Sequence, residues 1–219
     1  IQKKSKEDEL QNNLSSLLKL VDDCINFGTI PFSILARHAF IAKTFLLSLE
    51  QRGIITKQEV DQIQGSVQTV ASELVDDILS LQNGTISYNK FMKIYGHLRP
   101  GTYDIMSSRY DQMKNIIDDS IVLPEFEKKP DPFKFKQEQR QKINKLLFED
   151  GFNDFNADNF LEYVYEAIVA REYSKFVFTR SISDILELVA NFAKQNGLSR
   201  NEISHVPINT ILDIGLSSN

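Results

Sequence analysis

Tryptophan is absent from this 219-residue chain, cysteine occurs once, as Cys24, and histidine three times. A single thiol excludes an internal disulfide framework and a cysteine-rich zinc site, and three histidines are too few for a His-rich metal cage. Nine glycines and six prolines are too little punctuation for a many-turned sandwich or barrel, so the composition favours long helices. Cations are in the minority: 25 Lys and Arg stand against 30 Asp and Glu, for a net charge of −5. A duplex-binding protein would carry a basic surplus, so no nucleic-acid partner is expected. No run of eighteen consecutive apolar residues occurs, and no membrane partner is expected either. The chain starts at Ile1 with no signal-peptide pattern behind it, which points to a piece of a longer, cytoplasmic protein. Phosphate loops of the GxxxxGK[ST] or GxGxxG type are missing, and no Ser or Cys stands in a nucleophile elbow.

What remains is a soluble globular composition, 42% hydrophobic and 25% charged, with helical periodicity almost throughout. Leu10, Leu14, Leu17, Leu18, Val21 and Ile25 form one apolar stripe, which the spacing ends near Phe27-Gly28. Pro31 is placed to open a second helix carrying Ile34, Leu35, Ile41, Phe45, Leu46 and Leu49, stopped by Gly53. Thr56-x-x-Glu59 reads as a capping box for a long helix reaching to Gly84. Ser87 caps a shorter helix, residues 95–104 read as irregular, and a short helix is predicted over 108–117. Pro124, Pro130 and Pro132 interleave with Glu125, Glu127, Lys128 and Lys129, so 123–132 reads as an exposed connector between helical halves 1–122 and 133–219. Helix resumes over 133–148 and 157–195; Gly197 stops it, Ser199-x-x-Glu202 is a second capping box, and Pro207 starts a last helix. The predicted class is all-α: a multi-helix, bundle-like domain with long helices and an irregular Tyr-Gly-His loop.

Three constellations could carry chemistry. The loop 95–104 holds His97, Arg99, Tyr103 and Asp104 between two glycines and a proline. Arg offers a planar fork to a carboxylate or phosphate, and His can donate to the same anion or shuttle a proton. The competing reading is a helix-to-loop turn whose polar groups satisfy nearby backbone. Second, Arg171 and Lys175 stand four apart on one helix face, a repulsive arrangement that an anion between them would relieve. Arg180, nine positions beyond Arg171, falls on the opposite side and is placed to pair with Asp184; Glu166 and Asp184 are candidate partners of the cations. A solvated charged face is the bland alternative. Third, Arg37-His38 interrupts an apolar helix, with Lys43 further on. Asp154-x-Asn156-x-Asp158 imitates the start of a calcium loop, but Asn159 and Tyr165 stand where Gly and a bidentate Glu are required; a helix N-cap is the simpler account.

The run Tyr-Gly-His-Leu-Arg-Pro-Gly-Thr-Tyr-Asp-Ile at 95–105 resembles the loop after the central helices of phosphoenolpyruvate-utilising enzymes, as in phosphoenolpyruvate synthase-like proteins and rifampin phosphotransferase. Residues 27–32 with 36–40, residues 171–176, and 198–212 are similar to segments of the same family in the same order. The resemblance implies an enzyme with an ATP-splitting domain, a swivelling phosphohistidine domain and a helical acceptor-binding region, of which this chain matches only the last. It further implies a small-molecule phosphoryl acceptor as partner, together with the ATP-binding and phosphohistidine domains of the parent chain. ATP and Mg belong to those other domains, and no cofactor or metal is expected here. None of His38, His97 or His205 follows the Gly-Gly-x-x-Ser pattern of the relay histidine, so the chain alone is expected to be inert. By this likeness Arg171, Lys175 and His97 would act on the phosphoryl group, with Arg99, Tyr103, Asp104, Arg37 and Arg180 around the substrate. Leu98 separates His97 from Arg99, where rifampin-type loops place Arg directly after His. A non-catalytic helical interaction module is the alternative function.

Overall fold

The computed structural model describes residues 14–113 and 132–217. The described residues are helical with no strand, so the all-α expectation holds. The connector at 123–132 lies outside the described residues but for Pro132. We number the helices α1 (Leu14–Gln51), α2 (Lys57–Gly65), α3 (Val70–Gln82), α4 (Tyr88–Tyr95), α5 (Gln137–Glu149), α6 (Ala157–Gln195), α7 (Arg200–Ser204) and α8 (Ile208–Ser217).

Most boundaries follow from caps. The Thr56 side chain accepts from the Glu59 N–H while Glu59 Oε2 accepts from the Thr56 N–H at 2.8 Å, and Ser199 with Glu202 repeats the pattern. Asn156 Oδ1 accepts from the N–H groups of Asp158 and Asn159, so the false calcium loop is an N-cap. Gly53, Gly84, Gly151 and Gly197 have positive φ at the turns that follow α1, α3, α5 and α6.

Three elements differ from the periodicity. α1 does not stop at Gly28; it continues through a π-helical turn, Ile25–Thr29, into the α-helix Ile30–Gln51. Pro31 is the second residue of that α-helix, directly after the wider π turn, which tolerates its missing donor. Gly28 is buried there, and a Cβ on it would stand 2.8 Å from Phe178 Cβ. The helix predicted over 56–84 is instead two, because Ser66 turns its hydroxyl back to the Ile63 carbonyl and Thr69 with Ser72 starts a new helix. The helix expected over 108–117 is, in its described part, a 3₁₀ turn at Tyr110–Gln112, and 114–117 lie outside the described residues. By length and composition α1 could cross a bilayer, with 28% of its most apolar window buried, although the primary sequence has no unbroken apolar run of that length.

The chain divides into two compact units, each discontinuous in sequence. The first comprises Ile1–Pro31, Asp77–Ile121 and Lys175–Asn219. Its buried residues include Leu17, Phe91, Val189 and Ile211. The second comprises Phe32–Asp76 and Val122–Ser174. Its core joins Ala42, Leu46 and Leu49 of α1 to Ile63, Ile143, Phe160 and Val164. The buried positions of α1, from Ala36 to Leu49, recur at three- and four-residue steps, as one face of a helix must.

Substituting Gly28→Ala should overpack the contact with Phe178 and cost about 1–3 kcal/mol, read as a lower denaturation midpoint with an unchanged m-value.

Candidate functional site

The residues singled out by sequence fall into two groups, one in each unit. In the first unit the Tyr-Gly-His loop leaves α4 at Gly96, where a Cβ would meet the Met92 carbonyl oxygen at 2.4 Å, so only glycine fits. The loop is pinned by backbone bonds from Tyr110 to Leu98 and from Asp111 to Gly96. Arg99 then turns inward, its side chain only 1% exposed. Its Nε and Nη2 donate to Ser183 Oγ, Nη1 to the carbonyls of Ser107 and Asp104, and Nη2 also to Glu187 Oε1 at 3.1 Å. Glu187 in turn accepts from Arg200 at 2.7 Å and Gln112 at 2.8 Å. Burial raises its carboxyl, but the bonds from Arg200, Gln112 and Arg99 outweigh this and leave its pKa below the ordinary value. Every nitrogen of Arg99 is thus committed to protein. The side chain holds the loop to α6 as a structural latch.

His97 is 5% exposed and packs edge-on against Phe176, with ring centroids 4.9 Å apart. The ring hydrogen-bonds the Phe176 backbone, while its Nε2 has no partner. Burial, and then the charges of Arg180 and Arg109, push its pKa down to about 4. At neutral pH it is an uncharged core ring. Arg180 donates to the Ile94 carbonyl at 3.2 Å, and Asp184 is taken by Arg109 at 2.5 Å, so the predicted Arg180–Asp184 pairing does not form. Arg109 reaches Asp184 first. Tyr103 is 61% exposed, and the Asp104 carboxylate caps the loop by accepting from the Met106 N–H.

In the second unit Arg171 is half-buried on α6. Its Nη1 donates to its neighbour Glu172 at 3.1 Å, and its guanidinium carbon lies 5.7 Å from the Phe40 ring centroid. Its Nε is buried and unpartnered. It lines a cavity of about 380 Å³ with Phe40, Lys43, Leu46, Gln64 and Ile168. Two cations and one amide thus face a space whose lining contains no acid. Sequence spacing marked Arg171 and Lys43, but not that α1 and α6 bring them to one cavity; Gln64 on α2 carried no signal at all. Arg37 is exposed on α1; Lys175, one helical turn after Arg171 in the sequence, is exposed and belongs to the first unit. His38 hydrogen-bonds the Tyr163 hydroxyl at 3.2 Å.

Among the described residues no three His, Cys, Asp or Glu side chains converge to hold a metal ion. No family model, no curated protein and no solved structure matches this chain.

Two measurements test the latch. Arg99→Met takes the shared donor from the Ser183 hydroxyl, the carbonyls of Asp104 and Ser107 and one oxygen of Glu187, which keeps Arg200 and Gln112, and should destabilise the protein by about 3–5 kcal/mol in denaturant titration. His97 has a folded pKa well below its ordinary value of 6.5, so the unfolded chain takes up the proton first as pH falls. Stability should therefore be intact above pH 6.5 and be lost as pH falls toward about 4, by about 3 kcal/mol from this residue. A His97→Gln variant should show a correspondingly flatter acid limb in melting temperature against pH.

Proposed function

We propose that this chain is the helical acceptor-binding region of a cytoplasmic phosphotransferase of the phosphoenolpyruvate-utilising kind, with the phosphoryl group supplied by other domains. The observation that carries the reading is the cavity around Arg171. A buried guanidinium Nε without a partner costs on the order of 1–3 kcal/mol, and an anionic oxygen placed against it would recover that cost. Lys43 adds a second positive charge and Gln64 an amide that can donate. The Phe40 ring lies 5.7 Å from the guanidinium carbon and Glu172 takes its Nη1, which leaves Nε for an anion. Phosphoryl transfer depends mainly on positioning and charge stabilisation, which this arrangement supplies.

Inorganic phosphate is the simplest probe. Titrated calorimetrically against the full chain, it should bind, and Arg171→Ala and Lys43→Ala should each weaken binding about 10- to 100-fold with melting temperature retained. Arg171→Lys should not restore affinity, because an ammonium lacks the fork. Equal binding by all variants would exclude the cavity as the anion site.

An interaction module remains the second reading because of one observation. Ile34, Ile41 and Phe45 are all 43% exposed or more and share one side of α1 at seven- and four-residue steps. Concentration-dependent self-association in sedimentation, abolished by Ile34→Glu, would favour that reading.

A further inference from the structure

The second unit contains another cavity, of about 440 Å³, on residues that take no part in the anion site. Its size falls in the range of small-molecule sites. Phe45 and Leu49 of α1, Leu146 of α5 and the aromatic rings of Phe152, Phe155 and Phe160 wall it. Phe45 and Phe160 stand 6.1 Å apart and Phe152 and Phe155 6.5 Å apart, centroid to centroid, so the lining carries two tilted ring pairs. Phe152 is 53% exposed, an aromatic surface left facing solvent at considerable cost.

The polar groups on this lining are few: the Ser48 hydroxyl, the Tyr163 hydroxyl, which is engaged with His38, and two charges of opposite sign, Arg52 and Asp150. Each charged residue follows directly on the C-terminus of a helix, Arg52 after α1 and Asp150 after α5. Their backbones are held by the turns at Gly53 and Gly151, both with positive φ. Arg52 suits its place, since a cation complements the negative end of a helix. Asp150 does not: a carboxylate at a helix C-terminus is repelled by the last carbonyls. Neither side chain has an ion-pair partner among the described residues. An apolar cavity with one unpaired cation and one unpaired, misplaced anion is complementary to a ligand that carries both charges on an apolar body.

We propose that this cavity binds a zwitterionic aromatic compound of the α-amino-acid type. Its ring would lie among Phe45, Phe155 and Phe160, its ammonium would meet Asp150, and its carboxylate would meet Arg52. The ammonium removes the electrostatic penalty at the end of α5, which is why a simple carboxylic acid is the poorer fit. The site rests on other residues than the anion site, and either can stand without the other.

Because the chain has no tryptophan, indole fluorescence reports the ligand without background. L-tryptophan, tryptamine and indole-3-propionate titrated against the full chain form a matched set: both charges, the ammonium alone, the carboxylate alone. L-tryptophan is expected to bind at least tenfold more tightly than either analogue. Asp150→Asn should weaken tryptophan at least tenfold and leave indole-3-propionate unchanged, while Arg52→Gln should weaken tryptophan and spare tryptamine. Melting curves establish that both variants fold; both substituted residues are exposed. Equal affinity for all three compounds, or indifference to both substitutions, would reduce the cavity to a greasy cleft and overturn the proposal, as would no binding at all. Competition by phosphate would assign the compound to the Arg171 cavity instead.

Discussion

A buried guanidinium sets the terms for one whole unit of this protein. Arg99 cannot shed its charge, so folding has to supply acceptors for each of its nitrogens in a place that water does not reach. The loop carbonyls of Asp104 and Ser107, the Ser183 hydroxyl and the Glu187 carboxylate are those acceptors. Glu187 then needs cations and donors of its own, which Arg200 and Gln112 provide. The Ser183 hydroxyl donates to the His97 carbonyl at 2.7 Å and closes the circuit. A network of this kind stabilises little when complete and costs much when broken, which favours one arrangement of the loop over its alternatives.

The helices were largely legible because their ends are chemical. Thr56, Ser87, Asn156 and Ser199 each offer a side-chain oxygen to an N–H that would otherwise be orphaned, and four glycines take the positive φ that ends a helix. Where a helix continues without such a signal, periodicity misleads. At Gly28 the residue type suggested a stop, whereas the demand came from Phe178, 150 positions away in sequence. A glycine needed for room and a glycine needed for φ look the same in one dimension.

The candidate site was legible only in part, for a similar reason. Arg171 and Lys43 stand out as cations in apolar surroundings, but the cavity that unites them is a property of packing between α1 and α6. His97 and Arg99 stand out even more strongly, and the structure accounts for that prominence by burial. Residue type alone does not separate a charge held for a ligand from a charge spent on the fold. The separating quantity is the number of donors left over: none for Arg99, and Nε for Arg171.

The two units interleave along the chain, passing from one to the other at 31–32, 76–77, 121–122 and 174–175. The first, second and last of these passages fall inside α1, α3 and α6. No single cut in the backbone can release either unit intact, and a break at any of those three passages severs a helix that both must share. Gene fusion and domain shuffling can therefore carry this helical region only as a whole.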